Sequence, residues 1–318
     1  ENYLMQKFIR AVIGTNNIDG CARVCHSPTA LGMQTTFGTG AATNSIDDLK
    51  DTNCILVIGA NPTDAHPVTG AKLKQFAMKQ DHVTIVIDPR RTEIAKYADY
   101  HLALRPGTNV AVLNIMFYYI IKANLMDSDF IKNRTEGYED FEQQILNIDI
   151  DELENICGVN KNLVKEAAIA YASAPNAMSF HGLGVTEHSQ GTFTVVQIAD
   201  LALITGNIGR RGVGVNPLRG QNNVQGSADM GVQPHQGAGY LDVTDRSVNK
   251  KYNQFYGVAV PSMIGYKIPE MFDAALAGKL KALWVIGEDI VPTDPNTQTV
   301  IKALEATDLV IVQELFMT

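Results

Sequence analysis

The chain has 318 residues, 45% of them hydrophobic and 19% charged, with a formal net charge of −8. That length allows two domains with sizeable cores, and the composition is globular, neither disordered nor fibrous. The acidic balance, with only short basic pairs such as Lys250-Lys251 and Arg210-Arg211, argues against a nucleic-acid partner, and no apolar run reaches the roughly 18 residues that span a bilayer.

Apolar positions at Tyr3-Leu4, Phe8 and Ala11-Val12 predict an opening amphipathic helix, broken at Gly14-Thr15-Asn16-Asn17. The chain starts inside that pattern, without an initiator Met or a signal sequence, and reads as a piece of something longer. The segment Ala22-Arg23-Val24-Cys25-His26-Ser27-Pro28 then places a thiol beside an imidazole, with Pro28 in an early helix position. A thiolate is a soft ligand or nucleophile, and an adjacent His handles protons near neutral pH. Gly38-Thr39-Gly40 ends the helix that follows.

Regular alternation sets in next. Strands are predicted at 54–58, 83–87 and 101–104, with a helix near 65–78 and a long apolar helix ending near Ala123. Residues 128–174 read as mostly helical, with Asn160 capping a helix to Tyr171, before a strand at 178–180 and a helix through Leu203. From Thr205 to Gly239 the chain is polar and aperiodic, the mark of a functional loop, and 240–268 reads as irregular. A second alternating unit follows: helix 270–277, strand 281–286, helix 297–306 and strand 309–313. Continuous apolar strands separated by helices imply an α/β fold with mostly parallel, doubly wound sheets.

Each strand runs into a polar turn: Gly59-Ala60-Asn61, Asp88-Pro89-Arg90, Arg105-Pro106-Gly107, Gly182-Leu183-Gly184 and Gly287-Glu288-Asp289. Ligands of open parallel sheets sit beyond the carboxyl ends of the strands, and glycine lets a backbone approach a phosphate closely. None of these turns carries the three-glycine dinucleotide fingerprint. Together they predict one large phosphate-containing ligand spread between two domains, with Arg90 and Arg105 as phosphate contacts. The stretch Arg219-Gly220-Gln221-Asn222-Asn223 concentrates planar hydrogen-bonding groups, and its Arg suits a carboxylate. Four cysteines, Cys21, Cys25, Cys54 and Cys157, make no disulfide framework and point to a reducing, cytoplasmic setting. Cys54 and Cys157 read as buried small hydrophobes, and no second cysteine pair completes a zinc or iron–sulfur site.

These pieces resemble the molybdopterin oxidoreductase family, most closely its molybdenum- or tungsten-dependent formate dehydrogenases. The resemblance rests on Cys-Ala-Arg-Val-Cys-His-Ser-Pro at 21–28, Gly-Ala-Asn-Pro at 59–62, Asp-Pro-Arg-Arg at 88–91 and Gly-Leu-Gly-Val-Thr at 182–186. Ile-Thr-Gly-Asn-Ile-Gly at 204–209, Arg-Gly-Gln-Asn-Asn-Val-Gln-Gly at 219–226, Gly-Glu-Asp at 287–289 and Val-Gln-Glu-Leu-Phe-Met-Thr at 312–318 complete it. It implies a first α/β cofactor-binding domain at 27–220 and a discontinuous second one, 1–26 with 221–318. It implies a metal held by two pyranopterin guanosine dinucleotides and ligated by Cys25, where many formate dehydrogenases carry selenocysteine. His26 and Arg219 match the family's substrate-side pair. Asn61, Asp64, Asp88, Arg90, Leu183 and Gln221 match pterin contacts, with Gln313 and Thr318 near the second pterin. The turn residues Gly107, Gly184, Gly287, Glu288 and Asp289 belong to the same cofactor site.

The implied reaction is two-electron oxidation of formate to carbon dioxide, or its reverse, with Arg219 holding the carboxylate and His26 handling the proton. The family's amino-terminal [4Fe–4S] domain and its carboxy-terminal domain are absent from this sequence. Partners are then expected among iron–sulfur electron-transfer, hydrogenase-type or diaphorase-type subunits, with no membrane span in this chain. The alternatives are a nitrate or other oxyanion reductase of the same fold and a non-catalytic electron-relay subunit. The first lacks reason for His after Cys together with Arg219, and the second for keeping all three. A plain nucleotide-binding module is disfavoured by the missing fingerprint.

Overall fold

Five consecutive apolar residues, Cys54–Ile58, form strand β1, and all five are buried. The computed structural model describes residues 1–317. A strand with no solvent face needs cover on both sides, which a parallel sheet wrapped by helices supplies. β2 (Val83–Ile87), β3 (Tyr100–Leu102), β4 (Ala177–His181) and β5 (Gly214–Pro217) join β1 in parallel, in the order β3-β2-β1-β4-β5. Alternation along each strand divides the cores. Leu56, Ile58, Ile85 and Ile87 pack with Val112, Phe117 and Ile198 on one face, and Ile55, Val57, Val86 and Phe180 pack with Leu73 and Phe76 on the other. Each such side chain contributes about 1.5–3 kcal/mol by leaving water.

The order of the strands places the site. The chain moves outward from β1 through β2 to β3, then returns to the far side of β1 for β4 and β5. The direction of winding therefore reverses between β1 and β4, and a crevice opens where their following turns diverge. β5 falls within the stretch the sequence reading left aperiodic; Gly214-Val215-Asn216-Pro217 looks like a turn, but at a sheet edge proline costs no ladder bond.

The chain divides into two compact units: Cys25–Gly220, which holds this sheet, and a discontinuous one made of Glu1–Val24 and the chain from Gln221 onward. In the second, β6 (Gln236–Gly237) and β7 (Leu241–Asp242) form a short antiparallel pair. β8 (Ala282–Ile286) and β9 (Leu309–Gln313) pair in parallel, and nearby Phe272, Ala275, Val300 and Ala303 form a small core. The opening helix Asn2–Phe8 continues as a π-helical turn, Ile9–Ile13, which Gly14 ends at φ 81°. Arg10 on that turn is 1% exposed. Its guanidinium donates to the carbonyls of Gly231, Gln233 and Gln236 and to the Asn16 side chain, tying the loop before β6 to the first helix.

Residues 240–268 are less irregular than the sequence reading holds. Arg246–Tyr256 is a helix: Asp245 caps it through the Ser247 and Val248 amides, Gly257 ends it, and Val248 and Tyr252 form its buried stripe. Its polar composition hid the i, i+4 spacing. Val224–Asp229 is a second helix within a stretch read as loop. Among the described residues no helix is long and apolar enough to cross a membrane.

Candidate active site and cofactor cleft

At the reversal point the turns after β1 and β4 touch through backbone alone. Gly59 has φ +55°, and a Cβ there would lie 2.6 Å from the Gly184 carbonyl carbon; one on Gly184 would lie 2.8 Å from the Gly59 Cα. The Gly184 amide donates to the Gly59 carbonyl at 2.9 Å. Glycine is required at both places, because a side chain would push the two turns apart. In front of them lies a cleft of about 360 Å³, a size suited to a small-molecule ligand. The helix Asn109–Lys122 begins at its edge, with Asn109 in the lining, and a helix N-terminus favours an anion.

The thiol, the imidazole and the guanidinium come together at the two ends of this unit. Cys25 closes the short helix Ala22–Cys25, and its carbonyl accepts from the Thr186 hydroxyl at 2.7 Å. Its sulfur accepts from the Gly220 amide. Burial pushes the thiol pKa up; the Gly220 N–H and the Arg219 charge oppose that, while Glu187 adds to it. His26 N-caps the helix Ser27–Phe37 and is 1% exposed. One ring nitrogen, Nδ1, lies 2.8 Å from the Thr29 hydroxyl, and Nε2 lies 3.1 Å from the Leu218 carbonyl. Burial and the nearby Arg219 push its pKa down to about 4. The sequence reading takes this ring as a proton carrier near neutral pH; enclosed here, it is neutral at pH 7. Arg219 is anchored through Nη2 to the Gly40 carbonyl at 2.8 Å, and its own carbonyl meets His66 Nε2 at 2.6 Å.

Of the expected cofactor contacts, Asn61, Asp88, Arg90, Gly107, Leu183 and Gly184 all line the cleft. Asp88 is oriented by the Arg90 amide, which donates to its Oδ1 at 2.8 Å, and burial raises its pKa. Asp64 is exposed and does not line the cleft; it accepts from Asn61 Nδ2 at 2.6 Å, so it orients a lining residue. Arg105 departs from the phosphate-binding expectation. Its guanidinium donates to the Asn155 and Ile156 carbonyls and closes the end of the helix Ile150–Cys157, where orphan carbonyls attract a cation.

Gln221 opens the second part of the other unit. There Gly287, Glu288 and Asp289 follow β8, and the Gly287 amide donates to the Gln313 carbonyl at the end of β9. Burial, with Asp294 and Asp19 nearby, raises the Glu288 pKa. Thr318 lies outside the described residues. The sequence reading did not single out His66, Asn109, His188 and Leu218, which also line the cleft. The signal for His66 was its place four residues after Pro62, one turn along the helix that begins beyond β1.

The donor chemistry constrains what metal could sit here. Among the described residues no group of three or more His, Cys, Asp and Glu side chains could hold a metal ion. A metal at Cys25 would therefore take most of its ligands from another molecule, and the cleft beside the glycine-only turns gives such a molecule room. A pterin-carried metal meets both conditions.

Sheet, reversal point and cleft define a doubly wound α/β protein with a ligand-sized crevice at its switch point; Cys25 and Arg219 do not line the cleft and adjoin it through Leu218 and Gly220, which do. The molybdopterin oxidoreductase pattern matches residues 1–318, and the chain belongs to that family. Over 319 residues it is 45% identical to the F420-dependent formate dehydrogenase subunit alpha of Methanocaldococcus jannaschii, covering 100% of this chain and 47% of that protein. It is 43% identical over 318 residues to formate dehydrogenase H of Escherichia coli, covering 100% of this chain and 44% of that one. The chain thus spans about half the length of the curated relatives it matches. Among solved structures, acetylene hydratase from Pelobacter acetylenicus aligns with a TM-score of 0.77 over 100% of this chain and 45% of its own, at 23% identity, a likeness of fold.

Proposed function

We propose that this chain is the central part of a formate dehydrogenase catalytic subunit, working on formate or, in reverse, on carbon dioxide. The observation that carries the reading is the meeting of Cys25, His26 and Arg219 within one unit, where the Gly220 amide and the Arg219 charge both favour a thiolate that burial alone would suppress. Two similar relatives are themselves named as formate dehydrogenases.

In this reading Cys25 ligates a molybdenum or tungsten centre carried by two pyranopterin guanosine dinucleotides, and Asn61, Asp88, Arg90, Leu183 and Gly184 hold one of them. When bound, that centre supplies two-electron redox chemistry that no side chain can supply. Arg219 binds the carboxylate of formate through its planar fork and aligns the C–H bond. His26 helps to position the substrate and handles the proton released as formate loses two electrons; a ring with a pKa of about 4 passes a proton on instead of storing it. A [4Fe–4S] cluster elsewhere in the full-length protein and partner subunits of iron–sulfur, hydrogenase or diaphorase type would then carry the electrons away. We place the enzyme in the cytoplasm.

The test is metal and pterin analysis of the full-length protein combined with formate-dependent dye reduction. Loaded protein that reduces dye with formate supports the reading. Loaded protein inert toward formate and active on nitrate would replace it with the oxyanion-reductase alternative.

A further inference from the structure

The peptide that joins Arg219 to Gly220 is held at both of its polar ends. Its carbonyl meets His66 Nε2 at 2.6 Å, and its N–H, on Gly220, bonds the Cys25 sulfur. His66 and Gly220 both line the cleft. Nothing in the chemistry proposed above uses His66.

A carbonyl only accepts, so His66 Nε2 carries the hydrogen of this bond, and it does so whether the ring is neutral or charged. A peptide group is planar and trans, so its C=O and N–H point in opposite directions. Gripping one end therefore aims the other: with the Arg219 carbonyl held by His66, the Gly220 N–H is turned toward Cys25. The peptide itself offers little resistance to turning over. Its second residue is glycine, which tolerates either orientation, and a Cβ on Gly220 would meet no atom within 4 Å. The neighbouring bonds hold other groups. Leu218 is tied through its N–H to the His181 carbonyl at 2.8 Å and through its carbonyl to His26, while the Arg219 side chain is tied to Gly40. None of those bonds is made by the 219–220 peptide.

His66 has a firm base from which to hold it. Its own N–H donates to the Pro62 carbonyl at 2.9 Å and closes the short helix Pro62–Ala65. Its carbonyl accepts from the Gly70 amide at 2.7 Å in the next helix, Pro67–Ala77. The ring stands on a junction braced from both sides.

We propose that His66 is a positioning residue that sets the plane of the Arg219–Gly220 peptide from the cleft side, directing the Gly220 N–H to the Cys25 sulfur and fixing the backbone from which the Arg219 side chain reaches substrate. The kinetic consequence rests on the formate reading; the hold on the peptide does not.

The test uses the full-length holoenzyme and the variants His66→Gln, His66→Asn and His66→Leu. His66→Gln places an N–H donor at the reach of Nε2, His66→Asn is polar but too short, and His66→Leu has no donor. Two quantities are read: hydrogen exchange of the Gly220 amide, by mass spectrometry, and formate kinetics per bound metal. His66→Leu and His66→Asn are expected to speed exchange at Gly220 about tenfold, with the amides of β1 and β4 unchanged, and to raise the formate KM about fivefold with kcat less affected. His66→Gln is expected to recover most of both. If His66→Leu does not accumulate, His66→Asn carries the comparison. Wild-type exchange at Gly220 in a folded Asn or Leu variant would overturn the proposal. So would a Gln variant as impaired as the Leu variant, since ring packing would then be the whole role. A loaded wild type inert toward formate sinks the formate reading instead, and the exchange comparison still decides what His66 holds.

Discussion

Replacing Gly59 by Ala tests whether the crevice depends on bare backbone. Two costs add at this position. The residue sits at φ +55°, where a Cβ costs about 1–2 kcal/mol. The new Cβ would also stand 2.6 Å from the Gly184 carbonyl carbon where ordinary contact begins at 3.4 Å, so the two turns must separate by about 0.8 Å. Overpacking of that kind costs roughly 1–3 kcal/mol. The sum, about 2–5 kcal/mol, corresponds to a Tm loss on the order of 10 °C for a domain of this size. Gly184→Ala carries the packing cost alone, since its Cβ would lie 2.8 Å from the Gly59 Cα with no left-handed backbone. Gly107→Ala carries the conformational cost alone: φ is +82° and the nearest atom, His188 Nδ1, is 3.9 Å away. Thermal unfolding of the full-length protein, with metal content measured in parallel, should rank Gly59→Ala as the most damaging and the poorest in bound metal. A Gly59 variant as stable and as well loaded as the Gly107 variant would refute the close-contact argument.

Two further outcomes follow from single side chains. Burial on the helix Gly191–Ile204 pushes the Asp200 pKa up to about 6, and no hydrogen bond to that carboxyl is found among the described residues. The folded state therefore holds its proton more tightly than the unfolded chain: the penalty is absent below about pH 4, grows between pH 4 and 6, and is complete above. Asp200→Asn should raise the unfolding free energy from urea titration by about 1–3 kcal/mol at pH 7.5 and leave it unchanged at pH 3.5; equal gains at both would rule out ionisation as the cause. Arg219→Lys keeps the charge and loses the planar fork, so it should raise the formate KM at least about tenfold while metal stays bound, and wild-type kinetics would remove Arg219 from substrate binding.

Much of this was legible in the sequence where one short segment determines the outcome. Apolar runs such as Cys54–Ile58 and Val83–Ile87 mark strands because nothing but burial on a sheet suits them. The Cys25-His26 pair and Arg219 also stood out, since a thiol beside an imidazole and an Arg among Gln and Asn concentrate polar chemistry in short stretches. Features that depend on remote neighbours were not legible. β5 takes its identity from edge pairing with β4, and the helix Arg246–Tyr256 has too polar a face for composition to reveal it. Arg105 resembles a phosphate contact until the helix end at Asn155 and Ile156 is seen against it.

The two ends of the unit Cys25–Gly220 meet at the reactive residues, and this bears on when the site comes into existence. His26 and Leu218 are 192 positions apart, yet they share a hydrogen bond. A growing polypeptide presents Cys25 early and supplies the Leu218 carbonyl, the Arg219 charge and the Gly220 amide only after β5 has been made. Until that last edge strand docks, the cysteine is an ordinary thiol without a neighbour to favour its ionised form. If Cys25 ligates the metal as proposed, its acceptance is tied to completion of the unit, since the groups that favour the thiolate arrive last.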